Sequence, residues 1–272
     1  MYIEKDINKL IKDVENSLKK TKKFDKKDEL LLGVDLGTAY IVLVVLDSNK
    51  KPIASEMEYA SVVKDGLVVD YIGALRTVKR LKEKLEDRLG VSLEKAALAI
   101  PPGVSPKDSK AHINIAEGAG LEVTNMLDEP TAANAVLNIK DGAIVDIGGG
   151  STGISIIEDG KVVHTADEPT GGTHLSLVIA GNYRVTFEEA EELKVDSKKQ
   201  KEILPIISPV IEKIASIVDR SIEGYNVENV YLVGGTCCFY GVEKIIEKEL
   251  GIKTIKPGNP FLVTPLGIAM NC

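Results

Sequence analysis

Residues 143–158 read Ala-Ile-Val-Asp-Ile-Gly-Gly-Gly-Ser-Thr-Gly-Ile-Ser-Ile-Ile-Glu. An apolar run ends on Asp146 and Ile147, three glycines with Ser151 and Thr152 follow, and a second apolar run leaves. Two β-rich runs around a short glycine turn predict a buried β-hairpin. Residues 31–46 repeat the plan as Leu-Leu-Gly-Val-Asp-Leu-Gly-Thr-Ala-Tyr-Ile-Val-Leu-Val-Val-Leu, with Asp35 in the place of Asp146. An internal repeat of this size predicts two halves of similar topology. Two such halves are expected to face each other across a cleft, a preferred place for a ligand.

Outward from the hairpins, the pattern alternates strand and helix. A third strand is expected near Ile53–Tyr59. A helix capped by Asp70 should run to Leu89, with Leu75, Val78, Leu81, Leu85 and Leu89 on one face. A strand at Lys95–Ile100 is stopped by Pro101-Pro102. A helix near Lys107–Ala119, a short strand at Leu121–Thr124, and a helix at Glu129–Leu137 with Pro130 in its first turn follow. After the repeat restarts at Gly142, a strand is predicted at Lys161–Ala166. Helices are predicted at about Thr173–Asn182, Thr186–Lys194 and Lys198–Glu223. Val230–Val233 should be a strand running into Gly234-Gly235-Thr236 on a strand-to-helix turn. Helices at Val242–Leu250 and Thr264–Asn271 close the chain. At the front, Ile3, Ile7, Leu10, Ile11, Val14 and Leu18 form one helical stripe, and Lys19–Asp28 reads as a charged linker. The fold class is α/β. The expected limits are 1–28 for the amphipathic helix and linker, 29–137 with 263–272 for the first lobe, and 138–262 for the second.

Composition narrows the function. The 272 residues are 44% hydrophobic and 28% charged, ordinary for a globular protein. A formal net charge of -7 argues against nucleic acid as a partner, because phosphate backbones demand a basic face. Aromatics at 4% and the absence of Trp argue against base-stacking platforms. No apolar run approaches the roughly 20 residues that span a bilayer. The charged stretch Met1–Lys27 lacks the apolar core of a secretory signal. Cys237, Cys238 and Cys272 suit a reducing compartment, and Cys237-Cys238 has no second pair to complete a metal site. The expected location is the cytoplasm.

The two hairpins suit a phosphate chain. Glycine lets backbone N–H groups come close to phosphate oxygens, and hydroxyls add donors. A carboxylate ending each strand can hold Mg²⁺ through the waters that ion retains. The candidate phosphate-binding residues are Gly37 and Thr38 in the first turn and Gly148, Gly149, Gly150, Ser151 and Thr152 in the second. Gly234 and Gly235 are candidates for the adenosine end. Asp35 and Asp146 are the candidate Mg²⁺ residues, so the cofactors expected are ATP and Mg²⁺. There is no G-x-x-x-x-G-K-[ST] loop, and although Gly148–Gly153 has the spacing G-x-G-x-x-G, it leads into a strand and not a helix, so it fails as a dinucleotide fingerprint.

These residues resemble the ordered motifs of the actin, DnaK and sugar-kinase superfamily. Gly33–Thr38 resembles its first phosphate motif, and Leu127-Asp128-Glu129-Pro130-Thr131-Ala132-Ala133 its first connecting motif. Asp146–Thr152 resembles the second phosphate motif, Val233–Thr236 the adenosine motif, and Pro265-Leu266-Gly267-Ile268-Ala269 the second connecting motif. The resemblance implies two actin-like, RNase H-like lobes. It implies that Asp35 and Asp146 organise Mg²⁺ and its waters and that Glu129 orients an attacking water or contacts the metal shell. It also implies that Gly171 and Gly172 lie near the phosphates and that Glu191 and Lys194 reach the nucleoside. Within the superfamily the chain is most similar to the EutJ family of ethanolamine-utilization proteins, through Tyr59–Tyr71, Gly118–Val123 and Ala166–Ala180. Lys64-Asp65-Gly66 with Asp70 also resembles a segment of MreB.

That resemblance implies an ATP-binding, chaperone-like accessory protein whose partners are protein clients of the ethanolamine pathway, possible within a bacterial microcompartment. No insertion after the third strand would carry the DnaK lysine, and no DnaK-type peptide-binding domain follows the last motif. Slow hydrolysis at most is therefore expected. The competing functions are a non-hydrolysing nucleotide-dependent scaffold and, further back, a small-molecule kinase. Three features have plainer readings. The N-terminal helix is expected to be a packing arm or a partner-binding helix. His112, His164 and His174 are expected to be solvated or satisfied, with His174 a minor catalytic candidate. Cys237 and Cys238 are expected to be buried and inert.

Overall fold

The computed structural model describes residues 5–64, 67–101 and 106–272. Ile3, Asp65, Gly66 and Pro102, named above, lie outside the described residues. The chain divides into two compact units, one running to Asn138 and including Leu262–Cys272, the other Ile139–Phe261.

The first unit opens with helix α1 (Lys5–Ser17) and the strands β1 (Leu31–Leu36), β2 (Tyr40–Leu46) and β3 (Pro52–Tyr59). A small ribbon of β4 (Val63–Lys64) and β5 (Leu67–Val68) leads to helix α2 (Tyr71–Leu89). Then come β6 (Lys95–Ile100), α3 (Pro106–Gly118), β7 (Glu122–Asp128) and α4 (Glu129–Leu137). The sheet order is β3-β2-β1-β6-β7, with β1–β2 and β2–β3 antiparallel and β1–β6 and β6–β7 parallel. Strand β2 is buried at every position after Tyr40, so both faces of the sheet are covered there. That explains its unbroken apolar run. Helix α2 follows its predicted limits. The Asp70 carboxylate accepts from the Gly73 N–H at 2.9 Å, and Gly90 in the left-handed region ends the helix. Strand β7 runs four residues past the predicted Thr124 and delivers Asp128 and Glu129 to the start of α4.

Helix α1 is a packing arm. Its stripe, Ile11 and Val14, is at most 1% exposed, and the helix packs on β3. Burying each such side chain contributes on the order of 2 kcal/mol. Polar contacts fix the arm: the Ser17 and Ser55 hydroxyls share a 2.7 Å hydrogen bond, and the Arg88 guanidinium donates to the Ser17 carbonyl at 2.6 Å. Ile11 and Val14 are therefore used inside this unit, while Ile7, Leu10 and Leu18 of the same stripe stay half-exposed.

The second unit repeats the plan. Its strands are β8 (Gly142–Ile147), β9 (Thr152–Glu158) and β10 (Lys161–Glu168). Helices α5 (Gly172–Tyr183), α6 (Phe187–Val195) and α7 (Gln200–Ile222) precede β11 (Asn229–Val233). Helix α8 (Val242–Leu250) and β12 (Lys253–Ile255) complete the unit, and α9 (Val263–Ala269) belongs to the first unit. The order β10-β9-β8-β11-β12 matches the first sheet strand for strand, with the same antiparallel and parallel pairings. The repeat seen in sequence is a repeat of topology, and the fold is α/β as expected. Helix α7 carries Pro205 and Pro209 without ending. Its stripe of Ile203, Ile207, Ile211, Ile214, Val218 and Ile222 is buried and outweighs the lost hydrogen bonds. Strand β12 was not anticipated: three residues are too short for any periodicity, and the parallel neighbour β11 organises them. Gly234-Gly235 enters a 3₁₀ turn, Gly235–Cys238, and α8 begins only after Gly241, so the expected direct strand-to-helix turn is longer than predicted. Among the described residues no helix is long and apolar enough to cross a membrane.

Candidate phosphate-binding site

The two glycine hairpins have the same construction. In the first unit Asp35 pairs with Val42 and Leu36 with Ile41, and the Gly37 N–H donates to the Tyr40 carbonyl at 3.0 Å. In the second Asp146 pairs with Gly153 and Ile147 with Thr152, and the Gly148 N–H donates to the Ser151 carbonyl at 3.0 Å. Each turn thus leaves two residues at its tip, Thr38-Ala39 and Gly149-Gly150. Asp35 and Asp146 are each half-buried between fully buried neighbours, so each carboxylate stands at the margin of its core.

The second turn is braced by the protein's own backbone. The Gly172 N–H donates to the Gly148 carbonyl at 2.9 Å and the Thr173 N–H to the Gly149 carbonyl at 2.8 Å. The Thr236 hydroxyl donates to the same Gly148 carbonyl at 2.7 Å. Gly171 approaches so closely that a Cβ there would lie 2.9 Å from Gly148 O and Ser151 N. The carbonyls of Gly148 and Gly149 are thus taken up by the protein itself. Among the described residues, the Gly149 and Gly150 N–H groups donate to no protein acceptor. Adjacent half-exposed N–H groups on a rigid turn form an anion cradle.

The Gly234-Gly235 turn adjoins this cradle because β11 lies beside β8: Val233 pairs with Asp146, and Gly234 follows. Gly234 has φ 91° and ψ 161°, a glycine-only conformation, and a Cβ there would run into the Asp146 carboxylate and sit 2.6 Å from Ile147 O. Gly235 is exposed beside the Phe261 ring. Helix α6 closes the far side. Lys194 Nζ pairs with Glu191 Oε1 at 2.6 Å and donates to the Gly172 carbonyl at 3.3 Å, while the Ser176 hydroxyl also donates to Glu191 Oε1. Burial pushes the Cys237 thiol well above its ordinary range, and the Asp146 carboxylate adds to the shift. Cys237 is thus an inert thiol under the cradle, whereas Cys238 is exposed.

In the first unit, Asp35 and Glu129 stand at the carboxyl ends of β1 and β7, with β6 between them. Strand spacing puts them about 10 Å apart. Asp128 caps α4, accepting from the Thr131 N–H and hydroxyl at 2.8 Å each, which fixes Glu129 in the first turn. The connecting motifs meet through backbone: a Cβ at Gly267 of α9 would overlap the Ala132 carbonyl of α4.

Not every predicted residue presents itself to a ligand. Thr152 is fully buried and its hydroxyl donates to Thr170 O at 2.6 Å, so it serves the scaffold. Gly171 and Gly172 brace the turn, their N–H groups engaged by His174 Nδ1 and Gly148 O. Thr236 and Ser176 were not singled out. A hydroxyl directly after Gly234-Gly235 was a usable signal for Thr236, whereas Ser176 meets Glu191 only through the packing of α5 on α6.

A two-sheet α/β protein with matched 3-2-1-4-5 sheets and a glycine turn in each is of the actin-like class. Fold comparison bears this out: MreB5 of Spiroplasma citri bound to ADP superposes with a TM-score of 0.71 at 19% identity, over 89% of this chain and 95% of that one. A family model described as type IV pilus assembly protein PilM matches residues 117–266. The ethanolamine utilization protein EutJ of Salmonella typhimurium is 45% identical over 88% of this chain and 85% of its own. The crystal structure of EutJ from Carboxydothermus hydrogenoformans has a TM-score of 0.93 at 47% identity, over 97% of this chain and 98% of that one. The chain belongs to the EutJ family of ethanolamine utilization proteins and, through residues 117–266, to the PilM family.

Proposed function

We propose that this protein binds ATP with Mg²⁺ and acts as a chaperone-like accessory of ethanolamine utilization, assisting assembly or reactivation of pathway enzymes and hydrolysing ATP slowly at most. The observation that carries the reading is the pair of unengaged N–H groups at Gly149 and Gly150, on a turn braced from beneath and flanked by Asp146. In the second unit Gly148 and Ser151 would extend the phosphate contacts, Gly234 and Gly235 would underlie the nucleoside, and Lys194 with Glu191 would reach it; in the first unit Gly37 and Thr38 are the corresponding phosphate candidates.

The donor set fits Mg²⁺ held through water. Asp35 and Asp146 offer hard carboxylate oxygens, and among the described residues no three His, Cys, Asp or Glu side chains converge as a direct cage. Bound there, Mg²⁺ would neutralise phosphate charge, and Glu129 would orient a water for attack. The ADP of MreB5 supports a nucleotide in this fold, and the EutJ family supports the pathway.

The test is nucleotide binding and turnover on the purified chain beside Asp146→Ala. Mg²⁺-dependent ATP binding that the variant weakens at least about tenfold supports the site. Equal binding by both proteins would refute it. The PilM match favours a second reading, a non-hydrolysing nucleotide-dependent scaffold. ATP-dependent pelleting on sedimentation, without turnover, would select it.

A further inference from the structure

The start of α5 looks like an anion site but has its backbone engaged. The N–H groups of Gly171, Gly172, Thr173 and His174 donate to His174 Nδ1, Gly148 O, Gly149 O and Gly171 O. A phosphate over this helix end would therefore find side chains there and no helical N–H groups. One of those side chains is His174, half-buried in the first turn of α5. Its Nδ1 accepts the Gly171 N–H at 3.3 Å, so that nitrogen carries no hydrogen and the neutral ring bears its hydrogen on Nε2. Among the described residues, Nε2 meets no hydrogen-bond partner.

The residue that anchors the ring also adjoins the cradle. Gly171, which holds Nδ1, lies in backbone contact with Gly148, Gly150 and Ser151 of the cradle. A histidine serving only as a helix cap would need Nδ1 alone. Here the capping bond sets the tautomer and leaves a second donor on a ring anchored at a glycine that adjoins the cradle.

We propose that His174 is the residue through which this protein tells a nucleoside triphosphate from a diphosphate, donating its Nε2–H to an oxygen of the terminal phosphate. The inference rests on the nucleotide reading above and deepens it. A donor to the last phosphate alone strengthens ATP binding and leaves ADP untouched.

The experiment measures Kd for Mg²⁺-ATP and Mg²⁺-ADP on the full chain, on His174→Asn and on His174→Gln. Asparagine keeps an acceptor near the Nδ1 position and removes the Nε2 donor, whereas glutamine reaches the Nε2 position with an N–H. The expected result is ADP affinity unchanged in both variants, with ATP affinity about tenfold or more weaker in His174→Asn and partly restored in His174→Gln. An unchanged ATP-to-ADP ratio in His174→Asn would overturn the proposal. So would a parallel loss of both affinities with a lower Tm, the outcome for a helix cap alone. Wild-type chain that binds ADP but shows no dependence on His174 leaves the nucleotide reading standing and removes only this inference. Wild-type chain that binds neither nucleotide removes both.

Discussion

Replacing Gly234 by alanine tests the junction of the turn after β11 with the β8–β9 glycine hairpin. Two costs add there. The backbone at φ 91° and ψ 161° lies in a region that L side chains avoid, at about 1–3 kcal/mol. The new methyl would also stand 2.6 Å from Ile147 O and 2.8 Å from its carbonyl carbon, and would meet the Asp146 carboxylate. Overpacking of that kind costs about 1–3 kcal/mol, more where the obstacle is backbone in a paired strand. The expected destabilisation is about 2–6 kcal/mol. Gly251→Ala is the control: φ is 66° and ψ 11°, and nothing lies within 4 Å of an added Cβ. It carries only the left-handed cost, about 1–2 kcal/mol. Urea unfolding of both variants, followed by circular dichroism, measures the difference. If Gly234→Ala falls no further than Gly251→Ala, the contact between β8 and the turn after β11 does not have the closeness argued here.

Two further outcomes follow from the first unit. Arg88 donates to Ser55 O, Ser17 O and Glu56 Oε1 within 2.6–2.7 Å, joining α2, β3 and the end of α1. Arg88→Ala should cost about 2–3 kcal/mol and speed proteolysis between Lys19 and Lys27, while an unchanged cleavage rate would show that the apolar stripe holds α1 unaided. The second outcome concerns pH. Hydrogen bonds from Arg80 hold the Glu58 carboxyl below its usual range, with the guanidinium charge adding to them against desolvation. The folded state therefore binds fewer protons than the unfolded one, and the contribution is present above the ordinary glutamate range and lost as pH falls through the lowered folded value. With Arg80 47% and Glu58 31% exposed, solvent screens the pair to about 0.2–1 kcal/mol. The stability gap between wild type and Glu58→Gln should be open at neutral pH and close in acid and in high salt. A gap independent of both would place its origin in packing.

Much of the architecture was legible in the chain because its signals are local. The runs Leu31–Leu36 and Tyr40–Leu46 are strands by composition, Asp70 and Gly90 bracket α2 by capping chemistry, and Asp128 followed by Pro130 starts α4 where expected. The twin aspartate–glycine turns disclosed the repeat before either sheet was seen. The candidate site was legible in part. Gly149 and Gly150 are where the pattern put them, but nothing local told Thr152, whose hydroxyl faces inward, from Ser151 beside it. The same holds for Gly171 and Gly172, which brace the turn with the N–H groups that a motif would assign to ligand.

Periodicity, capping and the ordered glycine motifs are enough to establish an α/β chain with a doubled sheet plan and its paired glycine turns. They depend on residues within a few positions of one another, so they can be read from the chain. Three features required the folded chain: the burial of the α1 stripe on β3, the convergence of Thr236 and Gly172 on one carbonyl of Gly148, and the capture of His174 Nδ1 by Gly171 while that glycine rests against the cradle. Two of them join elements distant in sequence, and the third depends on the packing of one turn against another. Such contacts are set when sheets and helices pack, and the intrinsic preferences of the residues involved do not encode them.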